Sequence, residues 1–110
     1  MTDKIVALST CASPEEAEKL ARLLLDGQLA ACVSVIPAVR SFYHWNGAIE
    51  SASECLLLVK TSRHLFPKLC ETLGKAHSYE LPETLAVPVV AGSLAYLEWM
   101  EQHLRKEPES

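Results

Sequence analysis

Four polar residues lie at the end of a predicted strand or around the loop before the last strand, where they could converge near the hairpin of a neighbouring subunit and form a cleft between subunits. They are Lys60, His77, Tyr79 and Glu83. The lysine and the histidine could bind an anion, the tyrosine could donate a hydrogen bond to it, and Trp45 could add a stacking face. The same side chains could instead form a polar network that stabilises contacts between subunits. Both interpretations are open at the level of sequence.

The motifs that mark common catalytic sites are missing. The chain has no G-x-S-x-G, no phosphate-binding glycine-rich loop and no H-E-x-x-H, and it contains only four glycines. We therefore expect a protein that is not an enzyme. The cysteines show no C-x-x-C or other close metal spacing, so we expect free thiols that lie mostly in the core. They are Cys11, Cys32, Cys55 and Cys70.

Length and composition limit the partners of the chain. Its 110 residues, 49% of them hydrophobic, predict a single domain over residues 1–110 with a substantial core. A net charge of -4 and scattered basic residues disfavour nucleic acid and membrane surfaces as partners. No apolar stretch is long enough for a signal peptide or a membrane span, and the start leads directly into a strand. We therefore expect a cytoplasmic protein.

The N-terminal part predicts a strand followed by a helix. Residues 5–11 are rich in apolar and β-branched side chains. Ser13 can cap the helix, Pro14 suits its first position, and Glu16 completes a capping box. Apolar residues then recur at helical spacing until Gly27, which is a typical helix end.

One long β-hairpin is predicted over residues 31–61. Two alternating apolar runs flank Asn46-Gly47, and both of these residues accept the positive φ of a type I′ turn. Pro37 is a candidate for a bulge in the first arm. A two-residue loop sets this cross-strand register near the tip: Trp45 with Ala48, Tyr43 with Glu50, and Ser41 with Ala52.

The remaining elements complete a known topology. A second helix is predicted over residues 65–76 with Ser62 as its cap, and a strand over residues 84–91 in which Pro88 indicates a sheet edge. Ser93 caps a last helix that reaches Leu104, and a polar tail follows over residues 106–110. The predicted fold class is α+β, a ferredoxin-like βαββαβ antiparallel sheet with strand order 4-1-3-2. The long hairpin over residues 31–61 and an extra C-terminal helix are added to it.

The length of the hairpin predicts self-association. Each arm of about 14 residues spans roughly 45 Å at about 3.3 Å per residue. A domain of this size, with a radius of gyration of roughly 13 Å, cannot cover such arms. Exposed aromatic residues on an open sheet edge would otherwise favour aggregation. The alternative is a sharp bend at Pro37 that folds the arm over its own core.

The chain resembles the CutA, or divalent-cation tolerance, proteins over almost its whole length. Ser78 stands where that family usually has a proline. CutA proteins are similar in fold to the trimeric nitrogen-regulatory PII proteins, so the resemblance implies a homotrimer joined by the hairpins. The residues that carry it are Ala31-Cys32-Val33, Ile36-Pro37, Ser41, Tyr43-x-Trp45-x-Gly47, Ile49-Glu50, Lys60-Thr61, His77-x-Tyr79 and Pro82-Glu83.

The resemblance also implies a role in tolerance to divalent cations, with copper as the foremost ligand. Cys11 matches the cysteine ligand suggested for the family, His77 is the candidate imidazole ligand, and Glu83 could complete the site. Thiolate and imidazole together suit copper or zinc rather than magnesium. Alternatively, Cys11 is a small buried residue and His77 is a loop histidine bonded to the backbone. The protein would then be a PII-like small-molecule sensor or a scaffold without a metal.

Overall fold

A computed structural model describes residues 2–107 of the chain. The described strands form one antiparallel sheet in which the second, third, first and fourth strands of the chain lie side by side in that order, which confirms the predicted ferredoxin-like arrangement. Residues 108–110 of the predicted polar tail lie outside the described residues. The elements are β1 (Lys4–Cys11), α1 (Pro14–Asp26), β2 (Cys32–Trp45), β3 (Ala48–Ser62), a 3-10 turn (Arg63–Leu65), α2 (Phe66–Ala76), β4 (Leu85–Pro88) and α3 (Leu94–His103).

The core lies between one face of the sheet and the helices α1 and α2. Leu20 and Leu24 of α1 and Leu69 and Leu73 of α2 are fully buried against the sheet. Alternate residues of β1 and β3 complete this core: Ala7, Cys11, Cys55, Leu57 and Val59. Because side chains alternate along a strand, the residues between them point to the opposite face, which α1 and α2 leave open.

The hairpin has the register that the sequence predicts. Trp45 pairs with Ala48 across a tight turn in which Asn46 and Gly47 have φ values of 50° and 78°. The register shifts between Ile36 and Val39, so the predicted bulge is present at Pro37. The arms do not fold back over the core, and the longest dimension of the molecule is 46 Å.

Two predicted boundaries are wrong. The last strand covers only Leu85–Pro88 instead of residues 84–91, because proline has no N–H with which to continue the ladder. Val89 still donates one backbone hydrogen bond to Lys4. Ser62 is not the side-chain cap of α2, since a 3-10 turn intervenes and α2 begins at Phe66.

Ser62 carries a buried hydroxyl without a described hydrogen-bond partner, which predicts a stabilising substitution. Ser62 is fully buried, and its Oγ has no hydrogen-bond partner within residues 2–107. Ser62→Ala removes this unpaired hydroxyl, so the free energy of unfolding should rise by about 1 kcal/mol in urea titrations. Thr61→Val is the matched control, because Thr61 Oγ1 donates to the Leu29 carbonyl over 2.7 Å and its loss should destabilise. A lower stability of Ser62→Ala would contradict this account.

The last helix packs at the end of the sheet that carries the start of β1. Ser93 accepts a hydrogen bond from the Tyr96 N–H, which confirms the predicted cap. Met100 and Leu104 are buried in the core, and Lys4 of β1 forms ion pairs with Asp3 and with Glu101 of α3. Across residues 2–107, no helix is both long and apolar enough to cross a membrane.

Candidate functional site

One face of the hairpin tip forms the first wall of a cleft. Tyr43 lies opposite Glu50 in the ladder, and Val39 lies opposite Glu54. Since side chains two residues apart share a face, Tyr43 and Trp45 lie on the same face as Glu50 and Glu54. The cross-strand register therefore mixes aromatic rings with carboxylates on one surface.

The second wall is the loop between α2 and β4, which α1 holds in place. The two carboxylate oxygens of Glu16 accept hydrogen bonds from the Ser78 N–H over 2.8 Å and from the Ser78 hydroxyl over 2.9 Å. Glu16 also accepts the Ala12 N–H. The resemblance to CutA proteins predicts a proline at position 78, which would have no N–H or hydroxyl, so Ser78 makes contacts that this proline could not make.

The charge of Glu16 suits this role. Burial alone raises the pKa of Glu16, but the hydrogen bonds from Ser78 and Ala12 outweigh it and hold the pKa below its usual value. The carboxylate is therefore ionised at neutral pH, and the loop is fixed to the start of α1.

Both ring nitrogens of His77 form hydrogen bonds with backbone groups. Its Nε2 donates to the Thr10 carbonyl over 2.7 Å, and its Nδ1 accepts the Tyr79 N–H over 3.0 Å. The side chain has no exposed surface. This environment matches the alternative prediction of a loop histidine bonded to backbone, because neither nitrogen is free for a ligand.

Tyr79 connects the loop to the hairpin. Its hydroxyl donates to Glu54 Oε2 over 2.7 Å, and its ring lies 4.7 Å from that of His77. Burial and the neighbouring Glu54 carboxylate raise the pKa of Tyr79, so the phenol stays protonated and remains a donor. Glu54 is only 9% exposed. No lysine, arginine or histidine among residues 2–107 pairs with it.

Between these walls lies a cleft of about 1050 Å³. Its aromatic lining comes from Phe42, Tyr43, Trp45 and Tyr79, and its acidic lining comes from Glu50, Glu54, Glu80 and Glu83. No basic side chain from the described part of the chain lines it. The cleft therefore suits a cationic or amphipathic ligand better than an anion.

Three of the predicted site residues line the cleft, and the others do not. Trp45, Tyr79 and Glu83 line it. Lys60 does not, because six residues of extended strand, roughly 20 Å, separate it from Glu54. Its Nζ contacts the hydroxyl of Ser34 and lies 3.7 Å from Cys32 Sγ. The anion site of Lys60 and His77 was predicted between subunits, and it stays a prediction.

Three acidic residues of the cleft, Glu50, Glu54 and Glu80, were missed at the level of sequence. Glu50 and Glu54 received no site role, although the predicted pairing of Tyr43 with Glu50 already placed the first of them beside an aromatic ring. The period of two along β3 then places Glu54 on the same face. Following that face along the strand would have revealed both carboxylates.

The predicted metal ligands do not fit a metal ion in this conformation. Cys11 is fully buried opposite Cys55, and burial raises the pKa of its thiol to about 11. Metals bind the thiolate, which is scarce at neutral pH with such a pKa. The Glu83 residue is exposed, and its carbonyl accepts a hydrogen bond from Ser9. No group of three or more histidine, cysteine or acidic side chains in residues 2–107 could hold a metal ion.

Comparison with known proteins adds the family. The family model described as CutA1 divalent ion tolerance protein matches residues 5–103. The chain belongs to the CutA family. The divalent-cation tolerance protein CutA of Thermus thermophilus is 42% identical over 98 residues, which cover 89% of this chain and 95% of that protein.

Other CutA relatives are similar to this chain in sequence and in fold. The human protein CutA is 41% identical over 87% of this chain, but the chain spans only 54% of that longer protein. The structure of a CutA protein from Archaeoglobus fulgidus, described as a periplasmic divalent cation tolerance protein, matches with a TM-score of 0.90 and 35% identity. That match covers 93% of this chain and 99% of the archaeal one. Membership of the family supports a role in tolerance to metal ions.

Proposed function

We propose that this chain forms a homotrimer that binds copper or a similar divalent cation and takes part in metal-ion homeostasis. The observation that carries the assembly is the exposure of large apolar side chains at the hairpin tip. Phe42 is 68% exposed, Trp45 56% and Ile49 73%. Apolar surface of this kind is typical of subunit interfaces.

The open face of the sheet extends this surface. By alternation, Val6, Leu8, Leu56 and Leu58 point away from α1 and α2, and Leu8 pairs with Leu58 across the two central strands. A second copy of the chain would bury this face together with the hairpin. The choice of a trimer over a dimer rests on the likeness of the family to trimeric PII proteins.

The proposed copper is a cargo ion rather than a built-in cofactor. Support comes from the family, whose members are named for tolerance to divalent cations. The assignment of copper to Cys11, His77 and Glu83 stays a prediction, and loading of these residues requires them to leave the contacts described above. No enzymatic reaction is part of the proposal, because the sequence contains none of the common catalytic motifs considered above.

We place the protein in the cytoplasm. All four cysteines are free, and Cys11 and Cys55 lie opposite each other across β1 and β3 without a bond between them. Free thiols are typical of a reducing compartment. The periplasmic description belongs to the archaeal relative, so cell fractionation of the native host is the test of this placement.

Copper binding and assembly can be tested together by native mass spectrometry under reducing conditions. We expect a trimer that takes up substoichiometric copper, with uptake lost in Cys11→Ser and retained in Cys70→Ser. Cys70 is the matched control because it is a partly buried thiol outside the predicted site. A trimer that takes up no copper would overturn the metal proposal, and a monomer would overturn the assembly. Equal uptake by Cys11→Ser and the unchanged chain would remove Cys11 from the site.

A second candidate function is the PII-like sensing of a small molecule. The cleft between the hairpin and the loop after α2 favours it, because the volume of about 1050 Å³ is large enough for an organic ligand.

A further inference from the structure

Two cysteine side chains face each other in the core. Cys11 of β1 and Cys55 of β3 are direct partners in the antiparallel ladder, and both are buried on the face of the sheet that packs against α1 and α2. Partners of this kind have Cα atoms about 4.5–5.5 Å apart. Both thiols are free. Rotation of the two side chains can therefore bring both sulfur atoms to one small ion without a movement of the strands.

The lone pairs of these sulfur atoms are not in use. Cys55 forms no hydrogen bond with the residues that the structure describes, and Cys11 Sγ donates one long hydrogen bond to the Ser13 carbonyl over 3.6 Å. By contrast, the buried hydroxyls of Ser9 and Thr61 on the same face each donate to a carbonyl over 2.7 Å. The cysteine pair therefore offers two soft donor atoms that are free to bind a ligand.

The number of donor atoms limits the kind of ion. No group of three or more histidine, cysteine or acidic side chains in the described part of the chain could hold a metal ion, and both nitrogens of His77 are bonded to the backbone. Zinc usually takes four ligands in proteins, and calcium and magnesium take six or more oxygen ligands. Soft ions with a filled d shell bind thiolates and accept two of them in a line. The pair fits an ion of this class.

The charge of the core favours a divalent ion of this class. Two thiolates leave a univalent ion with a net charge of minus one and a divalent ion with none, and a buried charge without a partner is costly. Lys4 is paired elsewhere, and the length of β1, roughly 23 Å, separates it from Cys11. Burial and the Glu16 and Glu54 carboxylates raise the pKa of the Cys11 thiol to about 11, so this position already disfavours a negative charge.

We propose that Cys11 and Cys55 together bind a soft divalent cation of the mercuric class as a linear bis-thiolate complex. Each S–H proton passes to solvent as a sulfur–metal bond forms, and no atom changes its oxidation state. A coordinated soft cation deprotonates its thiol outright, so a protonated pair can still be loaded. The pair faces α1 and α2 rather than the proposed subunit interface, so its environment does not depend on assembly.

An entry route lies at the end of β1. Cys11 is the last residue of this strand, and Ala12 beside it is exposed. Local opening of a strand end needs much less free energy than global unfolding, and it would expose the pair to solvent. The role of the site in the cell rests on the proposed function in metal-ion homeostasis. The inference adds Cys55 to that function as a ligand and names the class of ion.

Native mass spectrometry with mercuric chloride tests the proposal. The full chain with Cys32→Ser and Cys70→Ser keeps Cys11 and Cys55 as its only thiols. With one equivalent of mercuric ion and an excess of glutathione, we expect one ion per chain and the loss of two protons for each ion. Adding Cys55→Ala should lower retention at least tenfold, because an ion held by one thiolate is easily displaced. The converse variant, Cys11→Ala with Cys55→Ala, keeps the other two thiols and should lose tight retention equally.

Copper uptake by the same variants separates this inference from the proposed function. Retained mercuric ion without any copper uptake would support the pair and overturn the copper proposal alone. Copper uptake together with weak mercuric binding that Cys55→Ala does not change would overturn the pair alone. If Cys55→Ala does not fold, Cys55→Val fills the same core position with an apolar side chain, and the proton count needs no core substitution.

Three results would overturn the proposal. Loss of only one proton per ion would show that a single thiolate holds it. Equal retention by the chain with the pair and by its Cys55→Ala variant would remove Cys55 from the site. Equal retention of cuprous and mercuric ions in glutathione would show that the charge of the core does not select a divalent ion.

Discussion

Trp45→Ala is expected to shift the assembly equilibrium strongly towards smaller species. Trp45 is a large, half-exposed aromatic residue at the tip of the hairpin, where we propose that subunits meet. Truncating such an interface residue typically costs about 2 kcal/mol or more. Each affected contact should therefore weaken by roughly thirtyfold. Analytical ultracentrifugation over a dilution series measures the shift, and far-UV circular dichroism should stay unchanged because Trp45 is not part of the core.

Trp99→Ala provides the matched control for this experiment. It removes the same side chain from an exposed position on α3, where Trp99 stacks on Tyr96 at a centroid distance of 5.4 Å. We expect it to leave the dilution midpoint unchanged. If Trp45→Ala and the unchanged chain dissociate at the same concentration, the hairpin tip does not carry the assembly.

The second large effect is expected at the buried ammonium of Lys4. The side chain of Lys4 is 4% exposed, and its Nζ pairs with Asp3 and Glu101, which are 66% and 56% exposed. The double variant Asp3→Asn with Glu101→Gln leaves a buried charge without a partner. It should lower the free energy of unfolding by about 3 kcal/mol. Urea denaturation at pH 7 measures this loss.

Removing the lysine itself should cost much less. Lys4→Met takes away the buried charge and leaves two carboxylates that water can solvate, so we expect less than half of the loss seen in the double variant. Adding Lys4→Met to the double variant should restore most of the stability. If the double variant is no less stable than Lys4→Met, an unpaired ammonium at Lys4 is not the cause of the loss.

The ion pairs of Lys4 also predict how stability depends on pH. Their contribution to the free energy of unfolding should be constant at intermediate pH and should be lost in strong acid and in strong alkali. The hydrogen bond from Lys4 lowers the pKa of Asp3 below its usual 3.8, so this stabilisation is present above pH 3.8 and is lost as the pH falls through the folded value. Burial lowers the pKa of Lys4, but hydrogen bonds to Asp3 and Glu101 outweigh it and raise the pKa above 10.5. The contribution of Lys4 is therefore complete below pH 10.5 and is lost as the pH rises through the folded value. Urea midpoints across pH should show both losses, and Lys4→Met should flatten them.

Much of the fold could be predicted from short stretches of the sequence. The helix cap Ser13 and the turn residues Asn46 and Gly47 are signals that act within a few positions of themselves, and they placed α1 and set the register of the hairpin. The capping box predicted with Glu16 is not formed, because the Glu16 carboxylate accepts the N–H of Ala12 instead of that of Ser13. The strand order followed from the sequence of elements, because a βαββαβ chain with short connections has few antiparallel arrangements.

The candidate site depended on contacts that no local signal reports. Tyr79 and Glu54 are 25 residues apart in the sequence, and Ser78 and Glu16 are 62 apart, yet each pair is joined by a hydrogen bond. Residue type suggested that Lys60 and His77 would bind an anion between subunits, which stays a prediction. Within one chain, extended strand geometry places Lys60 away from the cleft, and backbone groups occupy both nitrogens of His77.

The sequence by itself therefore determined the elements, their order and the existence of a projecting hairpin, because caps, turns and periodicity are local properties of the chain. Only the tertiary structure decided which side chains share a cleft and what charge that cleft carries. The physical reason is that Glu50 and Glu54 acquire a common environment with Tyr79 only after the loop beyond α2 has packed against β3. The acidic character of the site is a property of that packing.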